Sequence, residues 1–230
     1  MIILALDTTT RGGSVAVTDD DRVLALLAGD ASRTHGERFP GEIARALEPA
    51  GVTLSQIDLL AVATGPGAFT GLRIGLATIQ GLAMTLDAPV VGVSALDALA
   101  DQVTDEVDLI LPWMDAQRGD VFATLIDRPS RTTIETPATA SPRALVQAWL
   151  AHLSGRSAVF IGDAAVRDEA IITPLPDGRW ARRLPEPLAA NIARLALPRA
   201  RQGLGDPPHA LEPIYVRRPD AEIERERRRR

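Results

Sequence analysis

The chain contains no cysteine and no lysine among its 230 residues. Without cysteine there is no disulfide, no thiolate metal site and no thiol nucleophile. That composition fits a reducing compartment. Without lysine no Schiff base can form, and no ammonium can reach a phosphate in the Walker manner. Aldolase-like, pyridoxal-dependent and P-loop chemistries are therefore excluded. All 25 basic residues are arginine, a usage that a GC-rich genome explains without invoking function. Aromatic residues are few, with three Trp, four Phe and one Tyr, too few for a base-stacking platform. His35, His152 and His209 stand far apart. No two have the i, i+4 spacing of a helical metal site, so no metal site is expected.

Long uncharged runs are also scarce. Residues 59–86 carry Arg73 as their single charge, but Gly65-Pro66-Gly67 breaks the run, which argues against a membrane span. Residues 2–6 are apolar, yet Asp7 follows at once and no basic segment precedes them. They read as a buried first strand and not as a secretory signal, so a cytoplasmic location is expected. The net charge is -5. Residues 218–230 hold six Arg and four acids, leaving 19 Arg against 26 acids, a net of -7, in the body of the chain. Such a body is a poor phosphate binder. The Arg-rich tail 218–230 reads as a disordered, solvated end. The competing reading is a basic arm that touches RNA or an acidic partner.

Periodicity sets out the elements. Strands are expected at 2–7, 14–18 and 23–28, forming an antiparallel meander through the Arg11-Gly12-Gly13 and Asp19-Asp20-Asp21 turns. A helix at 39–50 places Phe39, Ile43, Ala46, Leu47 and Ala50 on its buried stripe and Glu42, Arg45 and Glu48 on the other. A central strand at 57–64 leads through Gly65-Pro66-Gly67 into a helix capped by Thr70 and running to 86. A strand at 89–93 and a short helix after Ser94 complete an N-terminal unit, residues 1–102. A second unit, residues 103–217, holds strands at 109–114 and 121–126, an irregular segment at 128–142, a helix at 144–152 and a strand at 158–161. A helix at 188–201, interrupted at Pro198, is allowed to pack back on the first unit. A strand-like piece at 213–217 closes it.

The 70–86 helix carries the strongest signal. Leu72, Leu76, Ile79, Ala83 and Leu86 make the face for a sheet. The opposite face holds Arg73, Ala77, Gln80, Gly81 and Met84, flanked by Ile74 and Thr78, and a solvated helix is expected to be charged there. Gly71 and Gly75 each cost about 1 kcal/mol against Ala, so a close backbone approach is expected. The helix is read as a protein–protein interface; the competing reading is that the second half of the chain covers it. Asp7-Thr8-Thr9 admits two readings: a turn with locally bonded hydroxyls, or a first phosphate loop like that of the actin-like ATPases. Asp115 and Asp120 flank a turn, and a catalytic carboxylate pair is the lesser reading. His35 and Glu37 read as a helix start.

Taken together, Leu6-Asp7-Thr8-Thr9, His35-Gly36-Glu37 with Pro40 and Ile43, residues 65–77, 89–94 and 114–122, Gly162-Asp163 and residues 213–217 resemble, in order, the TsaB (YeaZ-type) family. The likeness covers nearly the whole chain; Gly36 and Ala68 stand where Ser is more usual. The resemblance implies an α/β, actin-like (sugar kinase/Hsp70-type) fold with two lobes, the second reduced. It implies a non-catalytic dimerisation subunit for threonylcarbamoylation of adenosine 37 in ANN-decoding tRNAs. Such a subunit pairs with the catalytic transferase paralogue, is joined by an ATPase subunit, meets tRNA only indirectly and forms a homodimer when alone. The interface would then comprise His35, Pro40, Gly71, Arg73, Ile74, Ala77, Gln80, Gly81 and Met84. The chain would need no cofactor of its own, with ATP and metal in the partners. A residual nucleotide site would use Asp7, Thr8 and Thr9. The alternatives are a free-standing ATP-dependent enzyme of the same fold, using Asp7 and Asp115, and, more remotely, a metallopeptidase.

Overall fold

A computed structural model of the protein describes residues 1–30, 32, 34–172, 180–183 and 187–216. The chain starts with β1 (Ile2–Asp7), β2 (Ser14–Asp19) and β3 (Arg22–Ala28). They form the expected meander, with Asp7 opposite Ser14 and Ala16 opposite Leu26. Helix α1 (His35–Ala50) follows, then β4 (Leu59–Gly65), α2 (Phe69–Leu86), β5 (Val90–Ser94) and α3 (Ala95–Asp101). β4 lies parallel to both β1 and β5, giving a five-stranded sheet of order β3-β2-β1-β4-β5.

The second sheet has the order β10-β9-β6-β7-β8. It contains β6 (Leu109–Asp115), β7 (Val121–Asp127), β8 (Thr132–Ala140), β9 (Ala158–Ile161) and β10 (Trp180–Arg183), with α4 (Pro142–Leu153), α5 (Asp163–Arg167) and α6 (Glu169–Ile172) in the connections. Helix α7 (Ala189–Arg201) comes last and packs on β1, β2, β4 and β5 of the first sheet. Its first N–H, from Ala189, donates to Ser14 Oγ at 3.0 Å.

The strands' period of two sorts the core into layers. On the outer face of the first sheet, Leu4, Leu6, Val15, Val17, Leu60 and Val62 meet Phe39, Ile43 and Leu47 of α1 and Leu76, Ile79 and Ala83 of α2. On its inner face, Ile3, Ala5, Ala61 and Val91 meet α3 and α7, and Ile110, Phe122 and Val159 of the second sheet join the same cluster. The far side of the second sheet packs Trp113 edge-on against Trp149 and Phe160.

Several expectations are corrected. Helix α1 begins at His35, one turn before the expected start, because Glu37 accepts the Thr34 N–H at 3.2 Å and closes the first turn. Pro40, with no N–H to give, lies inside it. Glu42, expected on the solvated face, is buried. Helix α2 begins after Ala68, so Thr70 lies within its first turn and does not cap it. The segment 128–142 contains β8, an edge strand where Pro137 is tolerated for want of an outer neighbour. Helix α7 continues past Pro198, which sits in its last turn. The strand-like piece expected at 213–217 is not a strand over its described residues 213–216; there Ile214 N–H donates to Thr64 O at 2.7 Å. Arg217 and the tail 218–230 lie outside the described residues. Among the described residues no helix is long and apolar enough to cross a membrane.

Candidate functional site

Strand β1 ends where its last carboxylate meets donors in the following turn. Asp7 Oδ1 accepts the Thr9 N–H at 2.8 Å and the Thr9 hydroxyl at 2.5 Å, and Oδ2 accepts the Thr10 hydroxyl at 2.9 Å. Thr10 Oγ1 in turn accepts the Gly13 N–H at 3.0 Å. Gly13 has φ +62, and a Cβ there would lie 2.6 Å from Asp7 O, so this tight turn requires glycine. Thr8 points away, fully buried, toward α2. A Cβ on Gly71 would meet Thr8 O at 2.2 Å and one on Gly75 would meet Thr8 Oγ1 at 2.3 Å. The close approach expected of these two glycines is therefore made within the chain. Gly71, assigned above to an interface, is buried.

The N-terminus of α1 is tied to the same turn. Arg38 is buried, pairs with Glu42 at 2.8 Å, donates to Gly12 O, and lies 2.7 Å from His35 Nδ1. A guanidinium only donates, so Nδ1 accepts and the neutral ring carries its proton on Nε2. Burial first, and then the Arg38 charge, hold the His35 pKa below its ordinary value. His35 also bonds the Thr10 backbone and packs 5.4 Å from the Phe39 ring. This residue, expected at an interface, is half-buried and engaged internally.

Between the two sheets lies a cleft of about 940 Å³. Thr9, Thr10 and Arg11 line it from one side, Pro66 to Gly71 from a second, Asp115, Gln117 and Asp163 from a third, and Ile214 to Val216 from a fourth. The resemblance to an actin-like fold would place a magnesium nucleotide here. The residues present do not fit one. The Asp7 oxygens are occupied by Thr9 and Thr10 and lie beneath the lining. Asp115 lines the cleft but pairs with Arg167 and accepts from Gln117. Hydrogen bonds to Asp168 and Asp115 raise the Arg167 pKa, so its charge is permanent. Thr9 lines the cleft and Thr8 does not, so the expected trio is split. No group of three potential metal ligands occurs among the described residues.

The outer face of α1 and α2 is the other candidate. Ala77, Gly81 and Met84 form its ridge, and Met84 is 81% exposed. Gly41 on α1 and Gly81 on α2 face open space, where an added Cβ meets nothing within 4 Å. No positive φ and no internal contact requires either glycine. Pro40 is exposed beside Gly41, and Ile74 sits half-buried at the seam, its Cδ1 3.8 Å from where a Gly36 Cβ would stand. Arg73 and Gln80 behave differently. Gln80 Nε2 donates to Pro208 O at 2.8 Å and Leu211 O at 3.1 Å, and Arg73 Nε donates to the Tyr215 hydroxyl at 3.1 Å. Among the described residues, the second half of the chain thus covers one flank of α2 and leaves Ala77, Gly81 and Met84 exposed. Sequence reasoning found the ridge. It missed the Arg38–Glu42 pair, whose i, i+4 spacing was the available signal, and the Arg167 and Tyr215 contacts, for which no local signal exists.

Comparisons with known proteins agree in direction. The family model for "TsaD: tRNA N6-adenosine threonylcarbamoyltransferase" matches residues 29–147, just over half the chain. The chain is 37% identical over 124 residues to the tRNA threonylcarbamoyladenosine biosynthesis protein TsaB of Escherichia coli, spanning 53% of each chain, so about half the length of that relative is matched. It is 28% identical over 229 residues to the TsaB protein of Bacillus subtilis, covering 96% of each. A solved structure of a Pseudomonas aeruginosa protein with similarity to peptidase YEAZ superposes with a TM-score of 0.77 at 28% identity, covering 94% of this chain and 99% of the other. A ROK family protein from Streptococcus pneumoniae shares the fold alone, with a TM-score of 0.52, 10% identity and coverage of 88% and 100%.

Proposed function

This chain belongs to the TsaD threonylcarbamoyltransferase family, as a TsaB/YeaZ-type member with an actin-like fold, and from that premise we propose that it is the non-catalytic dimerisation subunit for tRNA threonylcarbamoyladenosine synthesis. It pairs through the α1–α2 face with the catalytic transferase paralogue. The product is threonylcarbamoylated adenosine 37 in ANN-decoding tRNAs. An ATPase subunit joins the pair, and tRNA is met through the partners. Without the paralogue, the same face pairs two copies of this chain.

One observation carries the reading. Two helix-interior glycines, Gly41 on α1 and Gly81 on α2, face open space, and Met84, three residues after Gly81, is 81% exposed. Each glycine costs a solitary helix about 1 kcal/mol against Ala. A facing helix that approaches to backbone distance gives that cost a use, since only a residue without Cβ leaves it room. Exposed methionine is adaptable contact surface.

A tagged pull-down from the native host, with bound proteins identified by mass spectrometry, tests the assignment. Recovery of the transferase paralogue is expected. Its absence, with the bait folded and abundant, contradicts it. The cleft's size favours a second reading, a free-standing ATP-dependent enzyme. Titration with ATP to millimolar concentration separates the two, and the scaffold reading expects no binding that depends on Asp7 or Asp115.

A further inference from the structure

Residues 203–216 leave the end of α7 and run back across the first sheet. Asp206 N–H donates to Val90 O at 2.7 Å, and its carboxylate accepts the Gly92 N–H at 3.0 Å, so the segment closes the free edge of β5. Arg199 reinforces this point by donating to Gly92 O at 2.6 Å. Leu211 is buried in the outer core cluster. Gln80 then holds the Pro208 and Leu211 carbonyls, and Ile214 bonds Thr64 O. Up to this point the segment is anchored by backbone hydrogen bonds and a buried side chain.

The last step differs. Ile214 is 50% exposed and Tyr215 is 40% exposed. Tyr215 stacks on Phe69 at 5.0 Å, Arg73 Cζ lies 3.9 Å from the centre of the Phe69 ring, and Arg73 Nε donates to the Tyr215 hydroxyl at 3.1 Å. Phe69, Ile214 and Tyr215 all line the cleft. Arg73 borders the interface ridge: it stands one turn before Ala77 and two turns before Gly81 on the same side of α2. One side chain therefore touches both the cleft's closing strap and the surface proposed to take a partner.

We infer that Arg73 and Tyr215 form a latch, and that a partner seated on the α2 ridge releases it and opens the mouth of the cleft. This inference rests on the interface reading above. The reason is desolvation. Arg73 is the single charge in residues 59–86, and among the described residues no carboxylate pairs with it. Exposed, it is well served by a neutral hydroxyl and a ring. Covered by a partner, it becomes a buried cation that needs a counter-charge. The fitting partner presents a carboxylate there, and a charge-assisted bond to a carboxylate outcompetes one to a phenol. Tyr215 then loses its hydroxyl partner and keeps only the Phe69 stack, with two half-exposed residues and one Ile214 backbone bond to hold the strap down.

Tyr215 is the chain's single tyrosine, so 3-fluorotyrosine labels the latch alone. Fluorine NMR is recorded on the full chain, on Arg73→Gln, and on the chain saturated with the transferase paralogue. Hydrogen exchange of the Ile214 amide is followed in the same three samples. Arg73→Gln is expected to move the resonance toward free fluorotyrosine and to speed Ile214 exchange by about tenfold. The complex is expected to show both changes in the same direction. An unmoved resonance in Arg73→Gln overturns the latch. A complex that forms by mass while resonance and exchange stay at their free-chain values overturns the coupling and leaves the interface reading standing. Absence of a complex by mass overturns both. Tyr215→Phe, which keeps the stack and loses the hydroxyl, is expected to reproduce the faster Ile214 exchange; unchanged exchange there also contradicts the latch.

Discussion

Arg38 Nη1 sits 2.8 Å from Glu42 Oε1, one turn apart on α1, with each side chain only 3% exposed. Arg38 also reaches Gly12 O and His35, and Arg45 approaches the same Glu42 oxygen at 3.8 Å, while Arg38 Nε and Glu42 Oε2 lack a hydrogen-bond partner among the described residues. The pair fastens α1 to the β1–β2 turn that floors the cleft. A Cβ on Gly29 would stand 1.7 Å from Arg38 Nη1, so the β3 end is shaped around it as well.

Removing one partner strands the other. Glu42→Ala is expected to cost about 3 kcal/mol, because a buried guanidinium loses its counter-charge. The double variant Arg38→Met/Glu42→Leu is expected to be far less destabilised than that single variant. Urea denaturation of the three proteins checks this, and equal losses in both variants would show that packing, not charge, dominates the site.

His35 makes part of this stability depend on pH. Its folded pKa lies below the ordinary 6.5, so the unfolded chain binds the proton more readily. Stability from this group is fully present above pH 6.5 and is lost as pH falls from there through the folded pKa. Comparing denaturation midpoints at pH 7.5 and 5.5 in wild type and His35→Gln isolates it. The variant is expected to lose less on acidification.

The glycines of α2 divide into two kinds with opposite outcomes. Gly75→Ala drives a methyl group to 2.3 Å from Thr8 Oγ1 and is expected to destabilise by about 2 kcal/mol. Thr8→Ala should recover part of that loss. Gly71→Ala meets the Thr8 backbone oxygen instead, so no recovery is expected there. Gly81→Ala enters open space and should stabilise the isolated chain by up to about 1 kcal/mol, while weakening association with the paralogue. Thermal melts and a binding titration read the two effects separately.

Asp7 acts as the organiser of its turn. Asp7→Ala leaves the Thr9 N–H and two hydroxyls without their acceptor and is expected to cost at least about 2 kcal/mol. Asp7→Asn keeps one acceptor oxygen, and its loss should be smaller. Denaturant titration of both variants tests this. A nucleotide affinity that disappears in Asp7→Ala would instead support the enzyme reading.

Most of the first sheet was legible because its strands alternate cleanly or run wholly apolar, and because Ser94 caps α3 by local chemistry that a sequence shows directly. The ridge Ala77-Gly81-Met84 was legible for the same reason: a helix face without charge stands out against the period of 3.6. What escaped depends on distant partners. Glu42 looks like a surface residue until Arg38 folds in beside it. Gly71 and Gly75 signal a close approach without saying that Thr8 is what approaches. β8 is polar and broken by Pro137, and it exists because β7 offers it a ladder. Arg73 and Gln80 sit on the open face by period, yet they hold residues 128 to 142 positions away.

Sedimentation velocity of the chain mixed with the transferase paralogue, in wild type and in Ala77→Arg, decides whether the α2 ridge is the pairing face. Ala77 is exposed on α2, so an arginine there leaves the monomer's fold and melting temperature unchanged. It also places a charge on a ridge that carries none. A heterodimer is expected for wild type and separate monomers for Ala77→Arg. A heterodimer of undiminished affinity in Ala77→Arg would contradict it and move the interface elsewhere on the molecule.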